Sequence, residues 1–282
     1  MSLVWVNGTL ADKLDARVSP FDHGFLYGDG VWEHLRVFGG KPFRASEHLA
    51  TLAKAAAALG IEVPLAPAEL VAVVEATVKA NNRTEGYVRV VVTRGPGTIG
   101  PDPRKLEPQL LITAEEYQPF PQELYGHGLH VAVSPLLLDE HNPAHQFRTL
   151  NQLHIVGAKQ HALQRGCLDA LLQSRTRGIM GATEGVLFVV RGQNLDRPSH
   201  CVWDDVASVV ARLAGGACAL TGRELRLPDV LAADEAFIAG TACGVIGVVR
   251  VDGADVGAGT EGPVTRRVRD AYLQLARGAG MG

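Results

Sequence analysis

The stretch FRTLNQLHIVGAKQHALQRG, residues 147–166, carries apolar side chains at Leu150, Leu153, Val156 and Leu163. That spacing predicts an amphipathic helix. Thr149 or Asn151 can cap its start, and Gly166 sits where a helix stops. Arg148 stands at the mouth of the predicted helix. Lys159 lies three turns along it, more than ~15 Å from Arg148 at the rise of a continuous helix, and reads as a solvated surface lysine. His154 and His161 read as surface or partly buried residues.

Upstream, Leu3 to Val6 and Leu10 to Leu14 flank Asn7-Gly8, a strong hairpin signal. Val31 to Phe38 reads as a strand that turns at Gly39-Gly40. Glu47 to Leu59 reads as a helix capped by Ser46, and Ala68 to Asn81 as a second helix. YVRVVVT at 87–93 and Gln109 to Thr113 read as neighbouring strands. The Pro-rich YQPFPQEL at 117–124 suggests a boundary. Downstream come strands at 129–134, 169–173, 185–190, 235–239 and 245–251, a helix from Val206 to Leu213 and a closing helix from Val264 to Ala276. Strands and helices alternate without a strict βαβ period. The expected fold class is therefore α+β, with a small N-terminal α/β domain at 1–118, a linker at 119–126 and a larger C-terminal domain at 127–282.

Composition excludes several classes. The 282 residues are 46% hydrophobic and 20% charged, with a formal net charge of −3, which suits a soluble globular protein and gives no nucleic-acid footprint. There is no signal-peptide pattern and no apolar run long enough to span a bilayer. Cys167, Cys201, Cys218 and Cys243 are scattered, as expected of free thiols in a reducing cytoplasm. GPGTIG at 95–100 matches GxGxxG in form, but Pro101-Asp102-Pro103 blocks the helix that a dinucleotide site needs. His141 and His145 are four apart with Pro143 between them, so they read as loop histidines; no metal site is expected.

Taken together, these segments resemble the class IV aminotransferases, the fold-type-IV pyridoxal-phosphate enzymes that include branched-chain and D-amino acid aminotransferases and aminodeoxychorismate lyase. The resemblance runs through DHGFLYGDGVWE (22–33), PFRASEHLATLAKAAAALGI (42–61), YVRVVVTRGPGTIGPDP (87–103), RTLNQLHIVGAKQHA (148–162), GATEG (181–185), FIAGTACGVIGVVRVDG (237–253) and GPVTRRV (262–268). It implies a two-domain D-amino acid aminotransferase-like architecture, a homodimer and a small carboxylate substrate. The implied cofactor is pyridoxal 5'-phosphate, which such enzymes hold as an imine with a lysine. By the same resemblance Glu184 matches the acid that faces the pyridine nitrogen, and Gly240, Thr241 and Ala242 match a phosphate-binding turn. Tyr27, Trp32, Arg36, Arg89 and Arg94 fall at substrate-side positions, where a cation suits a carboxylate.

Four positions depart from the family pattern. The lysine before TLN is Arg148, whose guanidinium stays protonated and cannot form the imine. Thr51 stands where many members carry a phosphate-gripping arginine. After ATEG the chain passes straight into Val186-Leu187, which shortens a loop. No GxTR segment appears between Gln193 and Val210. These departures speak against ordinary lysine-dependent transamination and point to lost or reorganised cofactor binding. Two further readings stay open: a cofactor-independent enzyme of the same fold that uses Arg148 to bind an anionic substrate, and a non-catalytic homologue that binds a small molecule or a partner.

Overall fold

The computed structural model describes residues 2–201, 207–214 and 218–280. The chain divides into two compact units. One comprises Met1–Tyr117, Phe147–Gln152 and Ala276–Gly282; the other comprises Gln118–Gln146 and Leu153–Leu275. The short stretch 147–152 thus groups with the N-terminal residues, whereas the sequence placed it in the C-terminal domain.

The smaller unit holds β1 (Leu3–Val6), β2 (Thr9–Asp12), α1 (His23–Tyr27), β3 (Gly30–Phe38), β4 (Lys41–Pro42), α2 (Ala45–Ala58), α3 (Pro67–Ala80), β5 (Gly86–Thr93) and β6 (Gln109–Glu115). Asn7 and Gly8 turn β1 into β2 with φ of 46° and 98°, the left-handed pair that a two-residue hairpin demands. The strands form an antiparallel sheet in the order β2-β1-β6-β5-β3-β4. One face carries Val31, Leu35, Val37, Val88, Val90, Val92, Leu110 and Ile112 against Leu49, Leu52 and Ala56 of α2 and Leu70, Val74 and Val78 of α3. The alternating β-branched residues of β5 supply that face because side chains two apart share one side of a strand. Arg44 precedes α2 in a left-handed conformation, φ 54°, with no side-chain cap. Ser46 therefore lies inside the first turn and does not cap it.

The larger unit holds α4 (Leu124–His127), β7 (Leu129–Leu138), α5 (Pro143–Gln146), α6 (Leu153–Gln164), β8 (Asp169–Ser174), β9 (Gly178–Ala182), β10 (Val186–Arg191), β11 (Asn194–Pro198), α7 (Ala207–Leu213), β12 (Ala219–Arg223), α8 (Leu227–Leu231), β13 (Glu235–Gly240), β14 (Gly244–Val251), β15 (Ala254–Asp255) and α9 (Pro263–Gly280) as far as Leu275, the last residues of α9 being grouped with the smaller unit. Val206, the expected first residue of α7, and part of the segment searched for GxTR lie outside the described residues. The sheet runs β12-β11-β10-β13-β14-β7-β8-β9, with β15 on β14. It curls until Ile179 of β9 donates to the Leu225 carbonyl at 2.7 Å, just past β12. Leu129, Val131, Leu171, Leu187, Val189, Ile238, Ile246 and Val248 fill its interior. α4 occupies part of the stretch expected as a linker.

α6 overturns the sequence reading twice. It starts at Leu153, not near Thr149. Its buried side is not the one with the large apolar residues: Leu153, Val156 and Leu163 are 79%, 59% and 55% exposed. Ala158 and Ala162 face inward instead and pack with Ala132, Ala170 and Leu172 beneath them. Small residues four apart let the helix lie close on β7 and β8.

Candidate functional site

In the smaller unit the segment 147–152 lies extended beside β3. Trp32 donates its backbone N–H to the Arg148 carbonyl at 2.8 Å, and Leu150 donates to Gly30 at 2.9 Å. The indole Nε1 of Trp32 donates to the Thr149 carbonyl at 3.0 Å. Arg148 is held by this pairing and not by a helix start. Its guanidinium Nη1 donates to both carboxylate oxygens of Glu33, each at 3.0 Å. The two side chains are 6% and 0% exposed. Glu33 also accepts the His34 backbone N–H at 2.9 Å, and His48 Nδ1 of α2 lies 3.6 Å from it. Arg148 therefore belongs to a buried ion pair.

The opposite face of the same sheet is aromatic and cationic. Trp32, His34 and Arg36 alternate along β3 and pair in register with Val91, Arg89 and Tyr87 of β5. The exposed Arg89 guanidinium lies over the Trp32 ring, 4.1 Å from its centre. His34 sets its ring edge-on to Trp32 and Tyr87 at 5.2 Å from each, and its Nδ1 hydrogen-bonds the Tyr87 hydroxyl. Tyr117 leans on Tyr87 at 5.0 Å. Arg36 lies 5.3 Å from the Phe38 ring.

Of the five expected substrate-side residues, Trp32, Arg36 and Arg89 thus share this face. The other two do not join it. Tyr27 sits at the end of α1, where its hydroxyl accepts the Gly100 N–H at 2.7 Å. Arg94 is engaged by both oxygens of Asp29 and by the carbonyls of Leu59 and Gly60 at the end of α2. Thr51 faces solvent on α2 and donates to the Glu47 carbonyl one turn back at 3.1 Å.

In the larger unit Glu184 lies in the tight turn from β9 to β10. That turn is clamped against the one between β13 and β14. A Cβ added at Gly240 would stand 2.1 Å from the Glu184 carbonyl oxygen, so residue 240 must be glycine for the two backbones to approach. Thr241 and Ala242 follow in the same turn, both buried. The Glu184 carboxylate already has a cation: Lys159 Nζ of α6 lies 3.2 Å from Oε1, with the two side chains 29% and 17% exposed. The ammonium also stands 5.2 Å from the Phe120 ring centre. The expectation of a solvated surface lysine is therefore wrong. It rested on distance along the helix from Arg148, which says nothing about the partner Lys159 meets in the turn after β9.

Behind this pair Asp169 is fully buried at the start of β8. Its Oδ1 accepts from the Ala170 and Thr183 N–H groups and the Thr183 hydroxyl, while Oδ2 has no hydrogen-bond partner. Burial pushes its carboxyl up to about 6; Lys159 opposes that and Glu184 reinforces it. Burial, Glu184 and Asp169 together push the Cys243 thiol up, which leaves it a poor nucleophile. His145 and His154 bring their rings to 4.5 Å, and burial, with His145, holds His154 down at about 4. No group of three metal-ligating side chains occurs among the described residues, and no helix among them is long and apolar enough to cross a membrane.

Comparisons with known proteins agree with this architecture. The sequence profile described as "Amino-transferase class IV" matches residues 30–251. The chain is 34% identical over 279 residues to a putative branched-chain-amino-acid aminotransferase of Methanocaldococcus jannaschii, covering 96% of each. It is 30% identical over 284 residues to a D-alanine aminotransferase of Listeria monocytogenes, covering 96% of this chain and 95% of the relative. Its fold superimposes on a T.th. branched-chain amino acid aminotransferase, solved with pyridoxamine 5'-phosphate, with a TM-score of 0.90, 26% identity and 98% and 94% coverage. A branched-chain aminotransferase of Thermoproteus uzoniensis, solved with norvaline, gives a TM-score of 0.88 at 26% identity, covering 99% of this chain and 96% of that one.

Proposed function

The chain belongs to the class IV aminotransferase family, and from that premise we propose that it binds a small amino acid or related carboxylate without ordinary lysine-dependent transamination. One observation carries this reading: the Arg148 guanidinium is spent on the buried Glu33 carboxylate, 3.0 Å from both oxygens. Members of the family use pyridoxal phosphate. The residues here do not fit that group held through an amine at position 148 and a carboxylate at 184 open to a ring nitrogen. Position 148 offers a protonated guanidinium, and Glu184 is paired with Lys159. The Glu33 pairing also argues against Arg148 as the binder of an anionic substrate.

The carboxylate is better served by Arg89 and Arg36 on the aromatic face of the smaller unit, beside Trp32. Amino acids of the kinds named for the relatives, D-alanine and the branched-chain amino acids, are the first ligands to try, together with their 2-oxo acids. Calorimetric titration tests this. Arg89→Ala should weaken binding about tenfold or more, the worth of a hydrogen bond to a charged group. Equal affinity in wild type and Arg89→Ala would remove the proposal. Turnover with amino acid and 2-oxo acid pairs should be absent, and sustained turnover would overturn the claim about transamination.

A homodimer is supported by the exposed apolar side of α6. Leu153, Val156 and Leu163 stand open on it, and the half-exposed Leu136 lies against Gly157 of the same helix. Val156→Asp with Leu163→Asp should give a monomer by light scattering. An unchanged mass would place any dimer contact elsewhere.

A further inference from the structure

Lys159 projects from the buried side of α6 toward Glu184, with the Phe120 ring on its flank. Both side chains keep some exposure, 29% and 17%, so a small molecule can reach them. We propose that Lys159 is an imine-forming amine for a small aldehyde or ketone, with Glu184 as its proton carrier.

The step balances without an outside reagent. Glu184 takes a proton from the Lys159 ammonium across the 3.2 Å contact, which frees the nitrogen lone pair. The amine adds to the carbonyl carbon; the C=O π bond breaks and a proton moves from nitrogen to the new hydroxyl, giving a carbinolamine. The protonated Glu184 then returns its proton to that hydroxyl. The C–O bond breaks, water leaves, and the nitrogen lone pair forms the C=N bond of an iminium. Ammonium and carbonyl have become iminium and water, and Glu184 is a carboxylate again.

Three features suit the role. The backbone of Glu184 is held by its close approach to Gly240, which fixes the base of the side chain that meets the amine. The Phe120 ring, 5.2 Å from the Lys159 ammonium, gives it an apolar neighbour on one flank. Asp169 anchors the turn through Thr183, and its raised carboxyl limits the negative charge massed around the ammonium in mild acid. The proposal stands on the larger unit alone and goes beyond the carboxylate-binding reading.

Reductive trapping tests it. The full chain is incubated with glycolaldehyde, which has no carboxylate for Arg89 to hold, and sodium cyanoborohydride; adducts are mapped by peptide mass. Label should collect at Lys159 faster than at Lys13, Lys41, Lys79 and Lys105, which serve as references in the same molecule. In Glu184→Gln, labelling of Lys159 should fall by about a hundredfold, the lower range for general acid–base assistance, with the reference lysines unchanged. Lys159→Arg should keep the circular dichroism spectrum and lose the preferred adduct. Lys159 labelled no faster than the references, or Glu184→Gln labelled as fast as wild type, would overturn the proposal and leave a structural ion pair. Neither result touches the Arg89 titration, so the two readings fail separately.

Discussion

Arg148→Met is the perturbation that tests the buried pair most directly. Methionine fills much of the arginine stem but removes the guanidinium that touches both Glu33 oxygens. Glu33, 0% exposed, would keep the His34 backbone N–H at 2.9 Å and His48 at 3.6 Å, and would otherwise be a buried charge without its counterion. Removing one partner of a buried pair costs about 3–5 kcal/mol. Adding Glu33→Gln removes the stranded charge, so the double variant should recover about 2 kcal/mol or more of that loss, a coupling within the range for contacting groups. Urea unfolding followed by tryptophan fluorescence is the assay, because Trp5 and Trp32 both lie in the smaller unit. The urea midpoint should fall with little change in slope. A cost under about 1 kcal/mol, the range of exposed ion pairs, would refute the claim that Arg148 is committed to Glu33. So would single and double variants of equal stability. Arg148→Lys keeps a charge but loses the planar fork; its ammonium should settle on Glu33, and no imine band should appear with pyridoxal phosphate.

Asp169 should make stability fall as pH rises. Its folded carboxyl, pushed up to about 6 from an ordinary 3.8, binds a proton more tightly than the unfolded chain does. The stabilisation present in acid is therefore lost between about pH 4 and pH 6, by at most about 3 kcal/mol. Asp169→Asn should lack that fall in urea titrations, and parallel pH curves for the two proteins would sink the idea. His154 works in the other direction: it is held down at about 4 against an ordinary 6.5, so its contribution is full above 6.5 and is lost as pH falls toward 4. An NMR titration of its ring should show a midpoint near 4, and one near 6.5 would contradict the burial seen here. Gly240→Ala should cost about 1–3 kcal/mol by overpacking, because the new methyl meets backbone at 2.1 Å and not a flexible side chain. An unchanged melting temperature would mean that the two turns separate easily.

Much of the fold was legible because its signals are local. Asn7-Gly8 closes the first hairpin, β5 alternates β-branched residues over a helical layer, and Gly60 stands where α2 has ended. The family resemblance drew on the same short segments. What was not legible depends on distance or on a misplaced face. Glu33 is 115 residues from Arg148, and nothing in either neighbourhood names the other. The α6 error came from ranking residues by size. Leucine and valine marked one side as apolar, yet the close helix–sheet contact selects alanine, and Ala158 and Ala162 at i and i+4 were the signal available. Reading that stripe would also have turned Lys159 inward.

The Glu33–Arg148 and Glu184–Lys159 pairs have a common electrostatic logic, worked out separately in each unit. A carboxylate is tolerated in an interior when a cation opposes it. Glu33 has Arg148, through a guanidinium suited to contact two oxygens. Glu184 stands near the fully buried Asp169 and, after burial itself, adds to the cost of charging it. Lys159 offsets both, by contact with Glu184 and at longer range with Asp169. The chemistry open to this chain therefore cannot be judged from position 148 alone. The amine at 159 and the guanidinium at 148 differ in chemistry as well as place. The guanidinium is a permanent cation suited to holding a structure together. The amine can lose its proton and attack carbon, and it already touches the carboxylate that could receive that proton. If carbonyl chemistry survives in this chain, Lys159 is where its residues allow it.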